Sequence, residues 1–185
     1  MTFPKSAFCS IAVVAGLAAG IMGMITTCQA DEFKLAAIGA RGGFGANASS
    51  QDFTQVEAFA DWNLPWCWAL GRDWSLQTRL DSSAGWLGDQ GANAGVFTLG
   101  PGLRLGKKGF PLKLEGGSNV TFLTNERFAT KDFGSTYQFT SYGGVSLELG
   151  AHIRCGYRYQ HMSNADLSNT NPGLNLHMFS ISYIF

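Results

Sequence analysis

His161 and Ser163 stand two residues apart at the head of the stretch HMSNADLSNTNPGLN, with Asn164, Asn171 and Asn175 following them. An imidazole beside a hydroxyl is the minimal set for nucleophilic acyl transfer, because the ring takes the proton that keeps the alcohol from attacking. On an extended strand, residues two apart share a face at a Cα separation of roughly 6.5–7 Å. Their side chains must therefore lean together to meet. Tyr157 and Tyr159 precede them on the same face. A polar pair at the end of a greasy face is either an ordinary strand end or a site, and spacing alone leaves both readings open. The deciding question is what carries this pair and what that face looks at.

The chain opens MTFPKSAFCSIAVVAGLAAGIMGMITTCQA, with one Lys, a long apolar run, and Cys28-Gln29-Ala30 ahead of Asp31. That order is expected of a secretory signal peptide cleaved after Ala30. Residues 1–30 then form the leader, and residues 31–185 make one domain, too short for two comfortable ones. Thirteen Lys and Arg balance thirteen Asp and Glu, which argues against a basic surface for nucleic acid. Cleavage would leave Cys67 and Cys155, too few for a disulfide framework and expected as free thiols. His152, His161 and His177 show no metal-ligand spacing with them, so no metal site is expected.

Beyond the leader, hydrophobicity alternates at period two. Over residues 54–64, Val56, Ala58, Ala60, Trp62 and Leu64 oppose Gln55, Glu57, Asp61 and Asn63. The same division runs through 74–86, 93–105, 112–122, 137–149, 151–160 and 175–185, and a less regular first strand from 33 to about 43 makes eight. Strands this long exceed the usual five or six residues of globular sheets and match tilted membrane strands of about 9–11 residues with their extensions. Together with the leader and a terminal Phe185, they predict an all-β protein, an eight-stranded antiparallel transmembrane β-barrel. A soluble lipocalin-like barrel is the rival, with its apolar face inward. The 24 glycines among 185 residues, nearly twice the usual share of about 7%, suit sharply curved sheets in either.

If the polar faces point inward, the barrel holds Glu57, Asp61, Asp81, Glu115 and Glu148 with Arg79, Arg104, Lys113, Arg154 and Arg158. Eight strands enclose little more than their own side chains, so a plugged interior without a pore is expected. With both ends of the mature chain periplasmic, the Gly106–Gly109 and Gly150 connections are short inner turns, while LTNERFATKDFGS and NADLSNTNPG are outer loops. His161 and Ser163 then come just beyond the seventh strand, on the lipid side at headgroup depth. A lipid ester would be cleaved there.

HMSNADLSNTNPGLN closely resembles the carboxyl-terminal signature of the lipid A 3-O-deacylase (PagL) family, and the leader, length and strand pattern extend that resemblance over the mature chain. The resemblance implies a cofactor-free esterase of the bacterial outer membrane that removes the 3-O-linked acyl chain of lipid A, with lipopolysaccharide and outer-membrane lipids as its partners, and it leaves room for a homodimer. It implies Ser163 as nucleophile and His161 as general base, with Asn164 and Asn171 near the reacting carbonyl and Asn171 the better oxyanion donor. The chain departs from the family at Asn175, where the pattern has a Glu that orients the histidine. An amide there points to weaker or altered catalysis, and Asp166 is a candidate substitute acid. The alternative is a catalytically weak or inactive structural or adhesion barrel of the same fold.

Overall fold

The computed structural model describes residues 25–27, 33–50 and 52–185. A three-residue strand β1 (Ile25–Thr27) precedes β2 (Lys34–Gly45), β3 (Thr54–Leu70), β4 (Trp74–Gly88), β5 (Asn93–Lys107), β6 (Leu112–Leu123), β7 (Tyr137–Leu149), β8 (Ile153–Ser163) and β9 (Leu174–Ile184). Each of β2 to β9 pairs antiparallel with its sequence neighbour, and β2 also pairs with β9. These eight strands close into a ring. The expected leader and its cleavage after Ala30 lie outside the described residues, apart from β1, which pairs with Trp68–Leu70 beyond the end of the β2–β3 ladder. Closure does not require β1.

The alternation of the sequence becomes the two sides of this wall. Val56, Trp86, Leu99, Val120, Phe179 and Ile181 are exposed on its outside, while Gln55, Glu57, Asp61, Arg79 and Asp81 are buried within. An outward apolar belt on a closed antiparallel ring is the arrangement of a membrane barrel, because hydrocarbon offers the backbone no partners and closure supplies them all. The longest register break among the described ladders is at Leu64-Pro65-Trp66, where the β3–β4 register shifts between Asn63 and Cys67; a shorter one lies between Leu35 and Ala37 of β2. Proline cannot donate to a ladder. Gln77 and Thr78 on β4 instead turn their side chains to the freed carbonyls, at 2.6 Å from Leu64 O and 2.7 Å from Trp66 O.

Inside, the charges pair as their signs require. Arg79 reaches Asp81 at 2.7 Å and Glu115 at 3.3 Å, Arg104 reaches Glu115 at 2.9 Å, and Glu57 holds both Arg41 and Arg158. The Tyr142 hydroxyl donates to Asp81. The plug is not charged throughout, however. At the end carrying the long loops, Phe53, Leu87, Val96, Leu123, Phe128, Phe133, Met162, Leu174, Leu176 and Met178 form an apolar core within the lumen. Phe53, Phe128 and Phe133 stack edge to face there, with centroids 5.3–5.9 Å apart. Loop residues between β6 and β7 supply Phe128 and Phe133, so lumen positions beneath them face a lid and not water. This is why the inner face of β9 is as apolar as its outer face.

Two expectations need correction. Cys155 is a free thiol, but Cys67 is disulfide-bonded. The seventh long strand runs on through Ser163, because β7 stays paired with it as far as Phe139 opposite Ser163. His161 and Ser163 are therefore held within a sheet and not on a loose end.

The outward belt makes a quantitative demand. Leu99→Arg, near the middle of β5, should lower the unfolding free energy in lipid vesicles by about 2–4 kcal/mol, and Phe110→Arg, in the turn after β5, by about 0–1 kcal/mol. Equal losses in a denaturant titration would contradict a lipid-facing wall.

Candidate functional site

Where β8 meets β9, His161 stands directly across from Asn175, and on its other flank it stands across from Ser141 of β7. Direct cross-strand neighbours hold their Cβ atoms about 4.5–5.5 Å apart, close enough for side chains to bond without strain. His161 Nδ1 lies 2.8 Å from Asn175 Oδ1. With a carbonyl oxygen as partner, Nδ1 is the donor, and the ring keeps its lone pair on Nε2. That is the tautomer a general base needs.

Ser163 follows His161 on the same face, half-buried while His161 is exposed on the outside of the wall. Among the described residues Ser163 Oγ makes no hydrogen bond, so the fold joins His161 to Asn175 and leaves the serine one strand step away. Catalytic hydrogen bonds commonly tighten only when substrate is bound.

The residues after Ser163 form a tight knot. Ala165 and Asp166 both adopt left-handed backbone, with φ of 52° and 61°, a conformation that costs a non-glycine residue about 1–3 kcal/mol and must be held by its surroundings. Asn164 does much of the holding. Completely buried, it donates its side-chain amide to Phe133 O at 2.9 Å and Thr170 O at 2.7 Å. Its backbone N–H donates to Asn171 Oδ1 at 3.1 Å, and Asn171 in turn donates to Asp166 Oδ1 at 2.9 Å. The structure thus brings Asn164, Asn171 and Asp166 into one cluster, and places His161 with Asn175. Asp166 bonds the asparagine and not the histidine.

Gly173 closes the knot against the imidazole. Its φ is +62°, and a Cβ there would lie 3.0 Å from His161 Cε1, so both backbone and space call for glycine. Its carbonyl accepts a hydrogen bond from Lys131 Nζ at 2.7 Å. Burial pushes the Lys131 ammonium below its ordinary pKa, and the Phe53 ring, 5.7 Å from Nζ, offers it a π-face. The lid and the site loop are thereby tied together. Lys131 and Gly173 escape sequence reasoning because the contacts that define them bridge two loops.

Other polar groups interrupt the lipid face nearby. Tyr157 OH and His177 Nδ1 are 2.8 Å apart, on the side of the His161 pair away from the loops, with His177 one row from it and Tyr157 two. Ser141 Oγ lies 3.1 Å from Ser118 Oγ of β6. Ser118, Ser141, His161 and Asn175 are consecutive partners across four strands. Parity along β6 and β7 marks both serines as polar residues on apolar stripes, the same signal that singles out His161.

A family model described as Lipid A 3-O-deacylase (PagL) matches residues 54–184, which span β3 to β9. Lipid A deacylase PagL of Bordetella bronchiseptica (strain ATCC BAA-588 / NCTC 13252 / RB50) is 36% identical over 72 residues, covering 39% of this chain and 40% of that relative. A solved structure titled as that of the outer membrane enzyme PagL superposes with a TM-score of 0.71 at 20% identity, over 81% of this chain and 100% of its own. The last likeness is one of fold.

The knot generates a test independent of any activity. Asn164→Ala leaves the buried Phe133 carbonyl without its donor and frees the Thr170 carbonyl, and should cost about 1–3 kcal/mol of unfolding free energy, with new protease cleavage between residues 164 and 173. An unchanged denaturation midpoint and cleavage pattern would mean that Asn164 is not what holds the loop.

Proposed function

The chain belongs to the lipid A 3-O-deacylase (PagL) family, and from that premise we propose that it hydrolyses the 3-O-linked acyl ester of lipid A at the lipid-facing His161–Ser163 site. The observation that carries the proposal is the His161 Nδ1 to Asn175 Oδ1 bond on the outside of the wall. It fixes the base in its productive tautomer beside a serine, on the surface that an acyl chain in the membrane would touch. The end bearing the long loops is then the outer side, and the site lies at the depth of lipid A headgroups and ester bonds.

In this mechanism Ser163 Oγ attacks the ester carbonyl while His161 Nε2 takes its proton, and the same proton passes to the departing sugar oxygen. Asn171 supports the oxyanion. One of its side-chain N–H groups is committed to Asp166, which leaves the other to donate to developing negative charge. Asn164 acts at one remove, by presenting Asn171 through its backbone N–H and by holding the loop down.

Asn175 sets the rate. A carboxylate in its place would accept from Nδ1 whichever way it turned, and would stabilise the imidazolium that forms at the transition state. An amide presents an acceptor from one end only and carries no charge. This favours a slow enzyme over an optimised one, and at the limit the weak or inactive barrel.

Two measurements test the proposal. Ser163→Ala and His161→Ala should each abolish release of the 3-O-acyl chain from lipid A in detergent micelles, with the double variant no worse than either single one. Full deacylation by a folded Ser163→Ala protein would refute the nucleophile.

Asn175→Glu should raise turnover and move the acidic limb of the pH–rate profile to higher pH. A neighbouring negative charge raises the histidine pKa, and the base works only when neutral, so activity should appear at higher pH than in the wild type. Profiles that superimpose would place Asn175 outside the reaction.

A further inference from the structure

An ester hydrolase that works through an acyl-serine needs a water molecule at its second step, and this site lies on the lipid-facing side of the wall, where a bound lipid would cover it. Beside His161, on the flank opposite Asn175, the lipid face carries the Ser141 and Ser118 hydroxyls. Ser141 is His161's direct partner across β7 and β8, Ser118 is Ser141's partner across β6 and β7, and the two oxygens are 3.1 Å apart. Both residues are exposed. One hydroxyl donates to the other, which leaves one O–H and several lone pairs unspent on a surface where nothing apolar can use them. Gly143, one step further along β7 on the same face, keeps the adjacent space open, since a Cβ there would meet nothing within 4 Å.

We propose that the Ser118–Ser141 pair seats the hydrolytic water beside His161, making Ser141 a positioning residue for deacylation. The inference rests on reading Ser163 as the nucleophile and His161 as the base. A buried or lipid-covered water is stable when two to four polar groups hold it, and Ser118 Oγ, Ser141 Oγ and His161 Nε2 are three. In the deacylation step the water oxygen attacks the acyl carbonyl carbon as His161 Nε2 takes one of its protons. The bond from that carbon to Ser163 Oγ then breaks, Oγ recovers the proton from His161, and the free fatty acid leaves. Atoms and charge balance with water as the only co-substrate.

Because the hydroxyls act on the second step alone, their removal has a signature that general damage to the site would not produce. Ser141→Ala, reconstituted in micelles with lipid A, should complete its first acyl transfer at nearly the wild-type rate, and its steady-state turnover should fall by roughly 10–100-fold. Intact-protein mass spectrometry should find it carrying one acyl group on the peptide that contains Ser163, and added hydroxylamine should release that group as the hydroxamate. Ser118→Ala should show a weaker form of the same defect, and Ser141→Thr should restore turnover. A heat-modifiable band on gel electrophoresis confirms that each variant is folded. The inference is overturned if folded Ser141→Ala turns over as the wild type does. Slowing of its first acyl transfer and steady state together, with no acylated protein, would also overturn it. Failure of the underlying assignment appears elsewhere, as full activity in Ser163→Ala.

Discussion

Hydrocarbon cannot hydrogen-bond, and the whole architecture follows from that. Each strand of the barrel must give every N–H and C=O to a neighbouring strand, and the ladder between β2 and β9 removes the last open edge. Where the ladder fails, at Pro65, side chains from β4 supply the missing donors. The demand for closure also explains why side-chain identity along each strand is divided so strictly. One set of positions meets lipid, the other meets the interior, and a shift of one residue would exchange them.

The interior solves two problems in two regions. Arginines and carboxylates neutralise one another through the middle of the barrel, where burial would be prohibitive for either sign alone. Nearer the loops, the apolar core built on Phe53, Phe128 and Phe133 anchors segments that would otherwise be solvated. Asn164 and Lys131 then fasten the loop after β8 to that anchored lid by hydrogen bonds to Phe133 O and Gly173 O. The proposed base on the outside of the wall is thus steadied from within it, through Gly173 pressed against its ring.

Much of this was legible in the sequence, because a membrane wall imposes period two on every strand and a polar residue on a greasy stripe then stands out. The eight strands, the charged interior and the pairing of His161 with Asn175 all follow from parity together with the family resemblance. Parity does not report what covers a strand from above, so the apolar half of the lumen, with Leu174, Leu176 and Met178 facing inward, is not legible in it. Nor does it give register between strands. Parity marks Ser141 as a polar residue on an apolar stripe, but only the alignment of β7 with β8 makes it the neighbour of His161. Asn164 reads equally well as a substrate ligand or a clamp until the loop is folded around it. Among the residues expected to remain after cleavage Cys67 has only Cys155 to pair with, which makes it read as a free thiol, and its disulfide is a fact of the structure alone.

His161 and Asn175 sit on β8 and β9, which bears on when the proposed site can form. A lone hairpin is marginal in water, so the imidazole and the amide acquire a fixed relation only once β9 has paired with a β8 already held by β7. A polypeptide still in transit carries the proposed serine and imidazole yet has no means of aligning them. The activity proposed for this site would therefore be coupled to completed assembly of the barrel, with no pro-segment or inhibitor needed to keep the immature chain silent.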